Sequence, residues 1–246
     1  MLLKTSWKNY YENLHNNHST ILYLWNNTTN LVTDTVGSDG TIRIMKHKHP
    51  HIKKFLSRPL SWSSINSFQY DKNEWYEKYI NGKKGRTTGP LVFGKNVGER
   101  LASEPQFLPG VPRLKEYEHE LNVSIGKIPC IGFLDNFDLE TKTFSEFKTG
   151  KKWTQDKANK HGQLDMYAAM IYLKYGIRPE DLSISLIWLP TEEQQDFRTD
   201  FVKDMKPIIF EIRKSMRDIL SFMAEVQVIH KEMQEFILSK SGDNIS

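Results

Sequence analysis

Apolar residues recur every three or four positions in three stretches of the chain, which is the spacing of a helix that packs on one side. The first stretch covers residues 60–80, with Ser63 or Ser64 as its predicted N-cap. The second, residues 91–104, is short. The third, residues 155–176, ends at a glycine, and its apolar stripe consists of Leu164, Tyr167, Ala168, Ile171, Tyr172 and Tyr175.

Between the second and third helices the pattern changes to that of strands. Residues 116–125, 128–139 and 142–150 predict three strands, and the last two are joined by a polar turn. A further strand is predicted at residues 181–190, where Pro190 closes it. Helices and strands in this mixed order predict an α/β fold, in which helices flank a mixed sheet.

The two ends of the chain differ from this middle part. Residues 1–48 are rich in Asn and Thr and are interpreted as an N-terminal extension, which leaves residues 49–246 as one domain. From residue 191 to 239 the pattern is helical, with a boundary at Pro207. One amphipathic face consists of Ile208, Ile212, Met216, Ile219, Met223, Val226, Ile229 and Met233. This face is expected to pack on the core, and contact with a partner protein or a second copy is the alternative.

Composition narrows the choice of function only moderately. The 246 residues carry a formal net charge of +4, which permits a polyanionic partner without requiring one. The single cysteine, Cys130, excludes an internal disulfide, a cysteine-ligated iron–sulfur cluster and a multi-cysteine zinc site. No apolar run approaches the roughly 20 residues of a membrane span, and no signal peptide is recognisable. A cytoplasmic protein without a membrane partner is therefore expected.

Opposite charges lie on one face of the strand predicted at residues 142–150. Because side chains alternate along a strand, Glu146 and Lys148 project together, and Asp135 precedes them in the neighbouring strand. If the two strands pair, the carboxylates lie side by side and repel each other unless a cation intervenes. A divalent ion with oxygen ligands, such as magnesium, would satisfy both. The alternative is ordinary pairing with lysines on a solvated face, which the apolar surroundings disfavour.

Three motifs around these charges occur in a recognisable order. "GFLDNFD" contains Asp135, "EFKTG" follows with Glu146 and Lys148, and "HGQLDMYAAMI" contributes Gln163 and Tyr167. In this order and spacing they resemble the RecB-type, exonuclease-like branch of the PD-(D/E)XK nuclease superfamily. The resemblance implies that Asp135 and Glu146 are metal ligands and that Lys148 is the catalytic lysine. It also implies that Gln163 and Tyr167 flank the site, and core packing is the alternative role of Tyr167.

The resemblance covers residues 59–190 and implies both a fold and an activity. The fold would be a restriction-endonuclease-like mixed sheet with flanking helices. The activity would be metal-dependent hydrolysis of DNA, by an exonuclease that acts on ends or single strands in recombination, repair or phage DNA processing. The protein would then work inside a bacterial or phage-infected cell. Mg²⁺ or Mn²⁺ would be its cofactor, and no iron–sulfur cluster is expected.

One position departs from the family pattern. Many relatives carry a metal-binding histidine on the upstream helix, where this chain has Gly98. The resemblance makes the neighbouring Glu99 the expected third ligand of the metal. The alternative is a surface glutamate beside Arg100.

Basic residues cluster after the second motif and are interpreted as contacts for DNA phosphates. They are Lys151, Lys152, Lys157 and Lys160, and Trp153 among them is expected to stack on a base. Three alternatives stay open: a nuclease fold that only binds DNA, a structure-specific or sequence-specific endonuclease, and a ribonuclease. The last stays open because no feature of the sequence reads a 2′-hydroxyl.

Overall fold

The order of helices and strands follows the sequence pattern through most of the chain. A computed structural model describes residues 35–36, 42–43, 50–85, 87–104, 111, 118–196, 198–204 and 206–240. The chain divides into two units, Met1–Lys53 and Lys54–Ser246. In the first unit, strands β1 (Thr35–Val36) and β2 (Ile42–Arg43) pair antiparallel. The rest of the predicted N-terminal extension lies outside the described residues.

Side chains cap the short helices that follow. Helix α1 (Pro50–Leu56) precedes α2 (Trp62–Tyr70), whose N-cap is Ser61. The N-cap predicted at Ser63 or Ser64 is therefore wrong, because Ser61 Oγ is the atom that accepts a hydrogen bond from Ser64 N–H, at 3.3 Å.

Asp71 divides the helix that was predicted over residues 60–80. Its carboxylate accepts hydrogen bonds from the N–H groups of Asn73 (2.8 Å) and Glu74 (3.0 Å), and so caps a new helix, α3 (Lys72–Trp75). The chain then makes a π-helical turn, Tyr76–Ile80. The second predicted helix is confirmed as α4 (Gly89–Ser103).

Two antiparallel pairs of strands form the middle of the chain. β3 (His119–Ile125) pairs with β4 (Ile128–Leu134), and β5 (Asn136–Asp138) pairs with β6 (Thr143–Gly150). Asp135 is the bend between β4 and β5, so one curved segment of chain takes part in both pairs.

The longest strand, β7 (Ser183–Glu193), makes the sheet mixed. It runs parallel to β6 and antiparallel to both β8 (Thr199–Phe201) and β9 (Ile208–Ile212). The predicted end at Pro190 is wrong, because β7 continues three residues further. The helix predicted from residue 191 is also wrong as far as β9, where Phe210 and Ile212 are buried and Glu211 between them is exposed.

Helices cover the sheet. The helix predicted over residues 155–176 is two helices, α5 (Gln155–Asn159) and α6 (Gly162–Tyr175), and Gly176 ends the second with φ of +71°. A single turn, Pro179–Asp181, leads into β7. The C-terminal helix α7 (Met216–Lys240) packs on α6, so its apolar face belongs to the core. The predicted α/β fold, a mixed sheet flanked by helices, is confirmed.

None of the helices in the described ranges combines the length and the apolar character that crossing a lipid bilayer requires.

Candidate active site

Two carboxylates meet at the bend between β4 and β5. The β5–β6 ladder pairs Asn136 with Ser145, so the next position places Asp135 opposite Glu146. The backbone N–H of Phe147 donates a hydrogen bond to Asp135 Oδ2 at 2.8 Å, which holds the carboxylate against β6. The structure thus brings together the two residues that the motifs single out as metal ligands.

The negative charge and the hydrogen-bonding capacity of these two carboxylates are only partly satisfied by their surroundings. Glu146 is only 3% exposed; its Oε1 accepts from Lys148 Nζ at 2.7 Å, whereas its Oε2 is buried with no hydrogen-bond partner among the described residues. Burial raises the pKa of Glu146, and Lys148 opposes this rise. Burial, and then the charge of Glu146, raises the pKa of Asp135 to about 8. A cation between the two carboxylates would relieve both their repulsion and the unpaired oxygen.

Lys148 links the carboxylates to helix α6. Its Nζ lies 2.7 Å from Glu146 Oε1 and 2.7 Å from Gln163 Oε1. The Gln163 amide donates to the Tyr167 hydroxyl at 2.9 Å, and that hydroxyl donates to the carbonyl oxygen of Phe133 at 2.7 Å. Gln163 and Tyr167, four residues apart on one helical face, therefore reach the site together.

Tyr167 fills both of the roles that the sequence left open. Its side chain is buried in the core, and its hydroxyl takes part in the network of the site. Burial, and then the charge of Glu146, raises the pKa of Tyr167, so the phenol stays protonated and keeps its donor.

Gly132 allows α6 to lie directly on β4. A Cβ atom at this position would be 2.8 Å from Tyr167 Cε1, which is closer than real Cβ contacts, and 3.1 Å from Met170 Sδ, which is tighter than most of them. The hydroxyl of Tyr167 reaches the Phe133 carbonyl because the glycine leaves its ring this space.

Gly132→Ala is expected to lower the free energy of unfolding by roughly 1–3 kcal/mol, because the added methyl overpacks the contact between α6 and β4. Gly85→Ala is the control, since no atom lies within 4 Å of a Cβ at that position. Urea denaturation of the two variants measures the difference. An equal change in both variants would contradict the close approach of helix and strand.

Glu99 does not join the two carboxylates. Helix α4 packs over the other face of β6, where Thr149 Oγ1 lies 3.3 Å from a Cβ at Gly94. On this face Phe147 packs against an apolar cluster that consists of Val97, Leu101, Ile187 and Leu189. Glu99 is 57% exposed and pairs with Lys95 at 3.6 Å. Within the described residues, no three His, Cys, Asp or Glu side chains form a group that could hold a metal. A third ligand at Glu99 stays a prediction that this arrangement does not support.

The predicted phosphate contacts differ in how free their side chains are. Lys151 and Lys152 are exposed immediately after β6. Lys160 pairs with Asp156 at 2.7 Å, in an exposed pair of little energetic weight. These lysines stay predicted contacts, since exposure alone does not distinguish a binding surface from a solvated one.

Trp153 is not available to stack on a base. Its side chain is 9% exposed, and Lys157 Nζ covers the ring at 3.9 Å from its centroid. The prediction of a free stacking surface is therefore wrong, because the indole packs into the core beside α5.

Two residues near the site make contacts that the sequence did not indicate. His161 Nε2 lies 3.1 Å from Gln163 Oε1, in the break that divides the predicted helix. Glu118 precedes β3, in register with Asp135, and its charge adds a smaller repulsion to that carboxylate. The only available signal was the glycine after His161, which weakens a continuous helix at that point.

Comparisons with known proteins give similarity in structure alone. No protein-family model matches the chain, and no curated protein is similar to it in sequence. A phage-related exonuclease from Haemophilus somnus 129PT has 11% identity and a TM-score of 0.49, over 78% of this chain and 94% of that one. A protein of Eubacterium rectale, named provisionally as an exonuclease, has 10% identity and a TM-score of 0.45, over 83% and 89%.

A third solved structure, SSO0001, has 13% identity and a TM-score of 0.38, over 73% of this chain and 84% of that one. At these values only the side chains of this chain itself indicate a function. Its three motifs, its mixed sheet flanked by helices and the meeting of Asp135, Glu146 and Lys148 make the chain similar to the PD-(D/E)XK nucleases.

Proposed function

We propose that this chain is a metal-dependent nuclease that hydrolyses phosphodiester bonds in DNA, as an exonuclease acting on DNA ends. The observation that carries the proposal is the buried Oε2 of Glu146 beside Asp135, for which the described part of the chain offers no hydrogen-bond partner. In a purely structural ion pair with Lys148, both oxygens of the buried Glu146 carboxylate would normally have hydrogen-bond partners, and here only Oε1 has one among the described residues.

The donor atoms of the site suit Mg²⁺ or Mn²⁺. Both side chains offer carboxylate oxygens, which hard divalent ions prefer. Asp135 and Glu146 would hold the ion, and the resemblance adds the backbone carbonyl of Phe147. An ion bound there would act as a Lewis acid, which would lower the pKa of a water and neutralise charge on the scissile phosphate.

Lys148 is the group that would meet the reacting phosphate. Two acceptors, Glu146 Oε1 and Gln163 Oε1, fix its ammonium on the same strand face as the carboxylate. A fixed positive charge at this place stabilises negative charge that develops on the phosphate and orients the attacking water. Its side chain is 24% exposed, so a substrate can reach it.

DNA would approach over the exposed lysines that follow β6. Lys151 and Lys152 lie next in sequence to the end of the strand that carries Lys148. The sequence contains no base-reading motif, so recognition would rest on phosphates and would weaken as salt is raised.

The proposal is tested by incubating linear and covalently closed circular DNA with the protein, in Mg²⁺, in Mn²⁺ and in excess chelator. We expect only the linear DNA to disappear, and only when the metal is present. Discrete fragments from the circle would indicate an endonuclease instead. Salt-sensitive DNA binding without cleavage would reject the nuclease and leave a DNA-binding protein, and preferential loss of a single-stranded RNA would reject DNA as the substrate.

A further inference from the structure

We propose that His161 is a positioning residue of this site, which fixes the orientation of the Gln163 amide and, through it, the ammonium of Lys148. The catalytic consequence rests on the proposed function, whereas the structural argument rests on the chain's own hydrogen bonds. His161 lies in the break between α5 and α6, so the end of one helix and the start of the next determine its place.

The direction of each hydrogen bond follows from Lys148. An ammonium only donates, so the Gln163 atom that lies 2.7 Å from Lys148 Nζ is the amide oxygen, Oε1. The same oxygen lies 3.1 Å from His161 Nε2. Because an amide oxygen only accepts, His161 must carry a proton on Nε2 and donate it to Gln163.

The other end of the amide is fixed as well. Gln163 Nε2 donates to the Tyr167 hydroxyl at 2.9 Å, and this hydroxyl gives its own proton to the Phe133 carbonyl at 2.7 Å. Every bond in the series has one donor and one acceptor. A reversed Gln163 amide would turn an NH₂ group towards both the ammonium of Lys148 and the N–H of His161, which is unfavourable at both contacts.

Two tryptophans hold the imidazole in this orientation. The ring centroid of His161 lies 5.0 Å from that of Trp153 and 5.8 Å from that of Trp62, and both contacts are edge-to-face. A Cβ atom at Gly162 would be 2.4 Å from Trp62, so the chain beside the histidine is pressed against this indole. Trp153 is thus buried where it can hold the His161 ring in place, which is a different role from stacking on a base.

The imidazole donates without adding a second positive charge to the site. Burial, and then the charge of Lys148, lowers the pKa of His161 to about 4. Lys157 and Lys214 also face the ring and act in the same direction. The ring is therefore neutral near pH 7, and Lys148 remains the cation of this network.

Two substitutions separate positioning from packing. His161→Phe keeps a ring between the tryptophans and removes the donor, whereas His161→Gln keeps a neutral N–H donor of similar reach and removes the ring. We expect His161→Phe to lower kcat for DNA cleavage about tenfold with little change in KM, and His161→Gln to recover most of this loss. Retention of the wild-type kcat in His161→Phe, or a larger loss in His161→Gln than in His161→Phe, would overturn the proposal.

His230→Phe is the matched control for the loss of a half-buried histidine. His230 lies on α7, where its ring stacks on Phe55 at 4.9 Å, and burial also lowers its pKa to about 4. We expect this variant to keep the wild-type kcat. A tenfold loss in His230→Phe as well would assign the effect to general packing and overturn the positioning role.

A measurement on the metal-free protein makes the test independent of cleavage. ¹⁵N NMR of the imidazole at pH 7 is expected to show the neutral form with the proton on Nε2, and the Gln163 amide signals are expected to persist in His161→Gln and to shift or broaden in His161→Phe. A proton on Nδ1 alone, or unchanged Gln163 signals in His161→Phe, would overturn the proposal even if the wild-type protein cleaves no DNA.

Discussion

Lys148→Met is expected to lower the rate of DNA cleavage by roughly 100- to 1,000-fold, which is the usual effect of removing one group that stabilises charge in a transition state. The side chain of Lys148 donates hydrogen bonds to Glu146 Oε1 and Gln163 Oε1, whereas a methionine side chain has no donor for either oxygen. Initial rates on linear DNA at saturating Mg²⁺ give the effect. The fold should persist, at a cost of about 1–3 kcal/mol for the unpaired carboxylate oxygen.

Lys127→Met is the charge-matched control for this substitution. Lys127 is exposed in the turn between β3 and β4, and its loss changes the net charge by the same amount. We expect its cleavage rate to stay within about twofold of wild type, since a single exposed charge contributes little. Circular dichroism of both variants checks that they are folded. An equal fall in rate in both variants would show that the lysine at position 148 acts only through net charge.

Asp135→Asn is expected to lower the rate of DNA cleavage and to remove the stabilisation of the protein by Mg²⁺. At alkaline pH it is expected to raise the free energy of unfolding of the cation-free protein. Asparagine keeps an acceptor for the Phe147 N–H but removes the charge that opposes Glu146. Cleavage should fall by roughly 100-fold or more, because the proposed metal ion would lose one of its two carboxylate ligands. Mg²⁺ should raise the melting temperature of the wild type but not that of the variant, since only a ligand that binds the folded state stabilises it.

The pH dependence of the free energy of unfolding reports on the titration of Asp135. Its pKa is about 8 in the folded protein and about 3.9 in an unfolded chain, so between these values the folded state holds an extra proton. The free energy of unfolding therefore falls as the pH rises towards 8, by about 1 kcal/mol between pH 7 and pH 8 without a divalent cation. Glu146, whose pKa burial also raises, acts in the same direction.

Two half-buried histidines act in the opposite direction, but at lower pH. The pKa values of His161 and His230 are lowered to about 4, so their contribution to stability increases only up to about pH 6.5, the value for an unfolded histidine. Above pH 7 these histidines therefore add little to the difference between wild type and Asp135→Asn. Denaturation of both proteins at pH 7 and pH 8 in chelator measures how far the free energy of unfolding falls in each. An identical fall in both proteins would contradict the raised pKa of Asp135.

Local rules were sufficient to predict the centre of the site. Alternation along a strand places Glu146 and Lys148 on one face, and a short hairpin with a polar turn brings Asp135 opposite them. Gln163 and Tyr167 follow from helical spacing once α6 is recognised. These residues could be predicted because each relation spans few residues and depends on backbone geometry.

Features that depend on distant packing could not be predicted in the same way. The spacing of apolar residues in the β9 segment predicts an amphipathic helix, and the segment forms a strand because it pairs with β7. The family pattern makes Glu99 an expected metal ligand, but on α4 its side chain points towards Lys95 and solvent. Trp153 reads as a free aromatic among lysines, yet it packs against His161, a contact that no spacing indicates.

The close approach at Gly132 also determines the order in which the site can assemble. The Asp135 contact with Phe147 closes a loop of 12 residues, whereas Tyr167 reaches Phe133 only across 34 residues, once α6 has docked on β4. Closing the shorter loop costs less entropy, so we expect the carboxylates to meet before Gln163 fixes Lys148. A chain whose α6 docks imperfectly would then keep its acidic pair and lose the alignment of its lysine, which separates failure to bind a cation from failure to cleave.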